Sequence, residues 1–195
     1  DYVFDGNKRG AYREDDPIDP VNVYGASKAA GEKALRERHD RHVILRTSWV
    51  YSPFGNNFVK TMLKLGAERE TLSVVSDQFG CPTAAADVAG AVIAISKAIL
   101  DGKTDGFGTF HYCGAGAASR FEFAEEIFRG AAQRGAVTPA KLIPISTGDY
   151  ETTAARPLNT ELSCLKILDN FDINTLPWRE PLEGCVAKIL LPTKR

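Results

Sequence analysis

The sequence predicts an α/β fold with a mainly parallel sheet. Short apolar runs alternate with segments rich in helix formers along the chain, which is typical of strand–helix–strand units. The run at residues 42–51 is apolar without strict alternation, as in a parallel strand buried on both faces. A hydrophobic share of 44% over 195 residues is ordinary for a globular protein.

The first 51 residues carry the clearest succession of elements. Residues 1–6 have the composition of the end of a buried strand, and Pro17 and Pro20 restrict the backbone of the polar segment that follows. Good helix formers then precede the apolar run. In order, we predict a strand end at 1–6, a surface loop at 7–22, a helix at 24–38 and a strand at 42–51.

The remaining sequence repeats the same alternation. Ser119 and Glu122 have the spacing of a capping box, which marks the start of a helix. No internal repeat or long linker divides the sequence, so residues 1–195 are expected to form a single α/β unit. We predict helices at 57–68, 84–100, from 119 onward, at 162–168 and at 182–190, and strands at 72–76, 109–113 and 142–145.

The charge and the apolar runs exclude several kinds of partner. The chain has 24 basic and 25 acidic side chains, so neither a nucleic acid nor an anionic membrane surface is expected to bind it. No apolar run approaches the roughly 18 residues that are needed to span a bilayer.

The cysteines and carboxylates give no sign of a metal site. Four cysteines are scattered without a Cys-x-x-Cys pair, which argues against a zinc site, a redox motif and a disulfide framework. This usage fits a reducing compartment, and we predict a cytoplasmic protein without a metal ion. The four residues are Cys81, Cys113, Cys164 and Cys185.

Tyr24 and Lys28 are the first candidates for catalysis. They lie four residues apart at the start of the predicted helix, so both side chains project from one face. A free phenol loses its proton only near pH 10, and an adjacent ammonium group stabilises the phenolate that proton transfer to a carbonyl oxygen requires. The alternative is a solvated Tyr and Lys on an amphipathic helix, because this spacing is common by chance.

The surrounding sequence resembles the dTDP-4-dehydrorhamnose reductase family, within the extended short-chain dehydrogenases/reductases. Five blocks occur in the family's order, and a weaker block follows toward the C-terminus. They are residues 1–6, 20–32 with Tyr24 and Lys28, 46–51, 57–59 and 77–83, and then 156–162. The resemblance implies the C-terminal part of an extended short-chain dehydrogenase Rossmann-type fold, with a small substrate-binding lobe interleaved with the remaining Rossmann part.

The resemblance also implies a reaction, namely reduction by NADPH or NADH of the C4 ketone of dTDP-4-dehydro-6-deoxy-L-mannose. Tyr24 would donate the proton to the new alkoxide, and Lys28 would stabilise the phenolate and hold the nicotinamide ribose. Tyr2 and Trp49 would line the sugar site, where the flat face of an indole covers sugar C–H groups. Trp49 could instead be a core aromatic at the end of a strand.

Four further residues are assigned to ligands on weaker grounds. Tyr51 is assigned to the cofactor, and Asn57, Gln78 and Arg156 to the substrate. Asn57 could equally cap its helix, and Gln78 could be a turn residue. Arg156 could bind the diphosphate through its planar guanidinium or pair with a surface acid.

Some of the family's expected features do not occur in this sequence. No Gly-rich turn follows a strand, although such a turn normally receives the cofactor pyrophosphate. The family's catalytic Thr or Ser precedes the block that here begins at Asp1. We therefore expect the N-terminal nucleotide-binding half to be absent and the 195-residue chain to have little or no activity alone.

Two other functions agree with the same residues. One is a nucleotide-sugar epimerase or dehydratase of the same fold, which would return its cofactor unchanged. The other is a non-catalytic regulatory subunit, like the β subunit of methionine adenosyltransferase, which resembles these reductases. A homodimer is a further possibility for any of these functions.

Overall fold

The architecture is taken from a computed structural model, which describes residues 1–191. Helices and short strands alternate along most of the chain, as the sequence predicts. The helices are α1 (Val23–Arg38), α2 (Phe58–Glu68), α3 (Ala85–Leu100), α4 (Arg120–Ala132), α5 (Leu165–Phe171) and α6 (Arg179–Leu190). The strands are β1 (Val43–Arg46), β2 (Val50–Tyr51), β3 (Thr71–Val75), β4 (Phe79–Gly80), β5 (Thr83–Ala84), β6 (Gly108–His111), β7 (Ala118–Ser119) and β8 (Lys141–Ile145).

The strands form four two-stranded ladders, and the prediction of mainly parallel pairing is confirmed. Strand β1 pairs with β6, β2 with β5, and β3 with β8, all in parallel. Only β4 and β7 pair antiparallel among the ladders of the described chain. The parallel pairs join segments far apart in sequence, as crossover connections through helices require.

The largest hydrophobic cluster surrounds Phe123 of α4, which is fully buried. Four aromatic rings lie within contact distance of it, in stacked, tilted and edge-on arrangements. Their centroids are 5.3 to 6.4 Å from that of Phe123, and they belong to Trp49, Tyr51, Phe58 and Trp178. This cluster packs α2, α4 and α6 together on one side of the molecule.

Trp49 lies where the chain passes from one ladder to another, between β1 and β2. Its φ is +44°, in the left-handed region that non-glycine residues seldom adopt. It follows the last residue of β1 by three positions and directly precedes the two-residue strand β2. The single strand predicted at 42–51 is therefore two strands in different ladders.

Two other predicted elements differ from the structure. Residues 1–6 form turns rather than a strand end, although Val3 and Phe4 are buried as an apolar strand would be. The helix predicted at 162–168 begins at Leu165, because Leu162 is extended and bridges to Tyr12. Pairing with a distant segment leaves no periodic signal in the local sequence.

No helix in the described part of the chain is long and apolar enough to cross a membrane.

Candidate active site

Helix α1 is positioned by close packing at its first turn. Asn22 caps the helix by accepting a hydrogen bond from the backbone N–H of Gly25 at 2.8 Å. Gly25 is buried against residue Tyr2, and a Cβ atom there would lie 2.0 Å from the Tyr2 carbonyl oxygen. The Asn22 amide also donates to the carbonyl of Ala155 at 2.9 Å. These contacts fix the start of α1 both to the turn that contains Tyr2 and to the backbone at Ala155.

Tyr24, Lys28 and Tyr2 lie together at a cavity beside the first turns of α1. The Lys28 Nζ is 5.4 Å from the centroid of the Tyr24 ring. The Tyr2 and Tyr24 rings meet edge to face with centroids 5.7 Å apart. All three residues line one cavity of about 300 Å³, and Tyr24 is 59% exposed. A ligand in the cavity can therefore reach the phenol and the ammonium group together.

An ion pair in the wall of this cavity anchors α1 to β1. Arg46 donates to Glu32 through Nε at 2.8 Å and Nη2 at 2.7 Å, and both side chains are over nine-tenths buried. Burial by itself would raise the pKa of Glu32, but hydrogen bonds and charge from Arg46 and Arg36 outweigh it, so the pKa is lowered. Glu32 lies four residues after Lys28, so this pair secures the face of α1 that carries the catalytic candidates.

The buried ring of His111 lies next to the same arginine. Its Nε2 is 3.3 Å from Arg46 Nη1, and its Nδ1 has no hydrogen-bond partner in the described residues. Burial and the charge of Arg46 lower the pKa of His111 to about 3, so the imidazole is neutral near pH 7. This agrees with the structural role that its apolar surroundings suggest, and it leaves proton transfer to the Tyr24 cavity.

Arg120, the first residue of α4, stands over the indole of Trp49. Its Cζ is 3.5 Å from the centroid of the Trp49 ring and 5.2 Å from the centroid of the Phe58 ring. Burial lowers the pKa of Arg120 to about 10, to which Arg156 contributes by repulsion while Tyr2 opposes the shift. Tyr2 is thus a neighbour of both Tyr24 and Arg120. The sequence analysis did not single out Arg120.

The predicted ligand residues fall into two groups. Gln78 is buried, and its backbone carbonyl accepts from the Arg120 N–H at 3.1 Å, so it lies with Arg156 and Trp49 around Arg120. Gln78 Nε2 also donates to Thr147 at 3.2 Å, as a turn residue would. Trp49 itself is 9% exposed. Its contact with a sugar stays a prediction.

Tyr51 and Asn57 lie apart from the cavity that contains Tyr24. Tyr51 is 1% exposed, donates its hydroxyl to the Trp178 carbonyl at 3.0 Å, and has its pKa raised by burial. Its contact with a cofactor stays a prediction. Asn57 caps α2 by accepting from the Lys60 N–H at 3.3 Å, which confirms the capping alternative.

The cavity at Tyr24 has the groups that the ribose and nicotinamide end of a dinucleotide requires. Lys28 offers N–H donors, and Thr47, on the cavity wall, has a buried hydroxyl without a hydrogen-bond partner in residues 1–191. The Gly-rich turn that would receive the pyrophosphate does not occur in the sequence. The described chain therefore fits one end of such a cofactor.

A parallel α/β fold with a Tyr-x-x-x-Lys helix at a cavity is that of a short-chain dehydrogenase/reductase. The chain matches the family model described as RmlD substrate binding domain over residues 1–191, and it belongs to that family.

The most similar proteins include several with one activity. The dTDP-4-dehydrorhamnose reductase of Aggregatibacter actinomycetemcomitans is 44% identical over 188 residues, which are 96% of this chain and 64% of that protein. The Sinorhizobium fredii reductase is 43% identical over 195 residues, 100% of this chain and 66% of that protein. The crystal structure of the Bacillus anthracis reductase with NADP has a TM-score of 0.83 at 40% identity, covering 96% of this chain and 63% of that one. The chain thus spans just under two thirds of these relatives.

Proposed function

We propose that this chain supplies the proton donor and the sugar-binding residues of an NAD(P)H-dependent reductase. The reaction reduces the C4 ketone of dTDP-4-dehydro-6-deoxy-L-mannose and gives dTDP-L-rhamnose. The observation that carries the proposal is the shared cavity of Tyr24, Lys28 and Tyr2 in a chain of this family. The names of its relatives support the substrate, and the NADP complex of one of them supports the cofactor.

Each residue of the cavity has a separate task in this reaction. The bound cofactor supplies a hydride to the ketone carbon. Tyr24 donates its phenolic proton to the oxygen as negative charge develops there, and Lys28 stabilises the resulting phenolate. The Tyr2 ring holds the Tyr24 ring edge to face and forms the adjoining wall of the sugar site.

The compartment follows from the same proposal. All four cysteines are free thiols, and Cys113 and Cys164 remain unbonded with their Sγ atoms 3.5 Å apart. Such a pair supports a reducing cytoplasm, where the nucleotide-sugar substrate would also be found.

The proposal is tested by cofactor stoichiometry. The chain is fused behind the N-terminal part of the Bacillus anthracis reductase that the match leaves uncovered, and is mixed with NADPH and the keto-sugar. One NADPH should be consumed for each dTDP-L-rhamnose formed. An epimerase or dehydratase would change the sugar without net NADPH consumption, and a regulatory subunit would do neither. We expect little or no turnover from the 195-residue chain alone.

A further inference from the structure

We propose that Arg120 binds the diphosphate of the nucleotide-sugar substrate. The inference rests on the proposed function for the identity of the ligand. The inference goes beyond the proposed function because it assigns a role to a residue outside the sequence blocks that carry the family resemblance.

The first observation is that Arg120 carries a charge without a counterion. No carboxylate in residues 1–191 lies within ion-pairing distance of its guanidinium. Its Nε is buried and has no hydrogen-bond partner in the same part of the chain. The acid on the same helix turn, Glu122, is engaged elsewhere, because it accepts the Ser119 N–H at 2.6 Å in the capping box. Charges that are drawn away from solvent are ordinarily paired, so this partly buried one lacks a partner that a ligand can supply.

The second observation is that the neighbouring groups hold Arg120 in place without neutralising it. The Trp49 ring lies 3.5 Å from Cζ and acts as a flat support through a cation–π contact. Burial lowers the pKa of Arg120, and repulsion from Arg156 adds to the shift, so neither supplies a counterion. A guanidinium held against a ring without an acid can receive an oxyanion, because it binds phosphate oxygens in a bidentate manner.

The third observation is the position of Arg120 relative to the catalytic candidates. Tyr2 lies against Tyr24 with ring centroids 5.7 Å apart, and its phenol is close enough to Arg120 to affect the pKa of the guanidinium. Tyr2 is thus a neighbour of both the proton donor and Arg120. A substrate whose ketone lies at Tyr24 can therefore place its diphosphate toward Arg120.

The proposal is tested by binding without cofactor or ketone, on the 195-residue chain. The probes are dTDP, inorganic pyrophosphate and thymidine, measured by calorimetry and by tryptophan fluorescence, since Trp49 lies under Arg120. Arg120→Met should weaken dTDP and pyrophosphate binding about tenfold or more, and leave thymidine binding unchanged. Arg120→Lys should recover part of the loss, because it keeps the charge but not the planar fork. Arg129→Met is the matched control, since Arg129 is on the same helix, is 60% exposed, and pairs with Glu126.

A structural role for Arg120 predicts a different result. Removing an unpaired buried charge should leave the Tm of the ligand-free chain unchanged or raise it by a few degrees, whereas loss of a structural cation would lower it. Equal dTDP affinity of wild type and Arg120→Met, or no dTDP binding by the wild type, overturns the proposal. Arginine-dependent dTDP binding in a fusion that does not reduce the ketone would reject the reductase function and leave the anion site standing.

Discussion

The guanidinium of Arg46 binds the carboxylate of Glu32 through two parallel hydrogen bonds, of 2.8 and 2.7 Å, in the interior of the molecule. The contact joins β1 to α1 one helical turn beyond Lys28. Bidentate pairs of this kind fix orientation as well as distance. The orientation of the helix that carries Tyr24 therefore depends on Arg46, which has no assigned part in the reaction itself.

Breaking this pair is expected to destabilise the fold strongly. Glu32→Gln should lower the free energy of unfolding by about 3–5 kcal/mol, because it leaves the buried Arg46 cation without its partner. Glu37→Gln, which removes an exposed acid paired with Lys33 on the same helix, should change it by less than about 1 kcal/mol. Urea denaturation measures both variants. Similar small effects in the two would show that the buried pair is not needed.

Acidification should destabilise the protein, and His111 contributes part of this effect. Its pKa is lowered from 6.5 to about 3, so its contribution to stability is complete above pH 6.5 and is lost as the pH falls toward 3. The pKa of Glu32 is also lowered, so protonation of Glu32 reduces stability further only when the pH falls below its ordinary pKa of 4.5. From pH 6.5 to 5, the contribution of His111 to the slope of the free energy of unfolding against pH should approach about 1.4 kcal/mol per pH unit.

The slope is checked by denaturation at several pH values with two histidine variants. His111→Gln should reduce the dependence of stability on pH between pH 6.5 and 5 by up to about 1.4 kcal/mol per pH unit. His39→Gln, at an exposed histidine after α1, should retain it. The assignment fails if both variants keep the wild-type slope.

A methyl group at Gly25 should displace the catalytic helix. A Cβ there meets the Tyr2 carbonyl oxygen at 2.0 Å and Pro20 Cβ at 2.9 Å, so Gly25→Ala should cost about 1–3 kcal/mol or more and separate Tyr24 from Tyr2. Gly31 is on the same helix with open space around its Cα, so Gly31→Ala should stabilise by roughly 0.5–1 kcal/mol. Thermal unfolding measures both variants. If the Tm of both rose, or the Tm of both fell, relative to wild type, the close packing at Gly25 would be contradicted.

Tyr24→Phe in the fusion with the nucleotide-binding half should slow the chemical step by about a hundredfold or more, because the proton donor is lost. Single-turnover oxidation of bound NADPH measures that step separately from product release. Tyr150→Phe changes a phenol that is 47% exposed in the segment after β8 and should have no effect. Unchanged turnover in Tyr24→Phe would remove this residue from the catalytic role.

The sequence predicted best what depends on local spacing. Tyr24 and Lys28 share a face because residues four apart do so on any helix, and Ser119 with Glu122 forms the capping box that its spacing indicates. Asn57 has the cap that was one of its two interpretations. These features need no information about distant segments.

What the sequence did not predict depends on contacts between distant segments. The sequence gives no sign that Trp49 lies against Arg120, or that no carboxylate in residues 1–191 pairs with it. Tyr51 and Trp49 both pack on Phe123, a contact that joins β2 to the distant helix α4. Residues 1–6 form turns although their composition predicts a strand end, because apolar composition does not specify backbone conformation.

The left-handed backbone of Trp49 has a consequence for the choice of substrate. With φ at +44°, this residue sets how β2 departs from β1, and its ring supports Arg120 while β1 is fixed to the helix of Tyr24. The proton donor and the guanidinium are therefore each attached to the main chain on either side of β1. If Arg120 binds the diphosphate, a keto-sugar with a single phosphate should bind more weakly than a nucleoside diphosphate sugar.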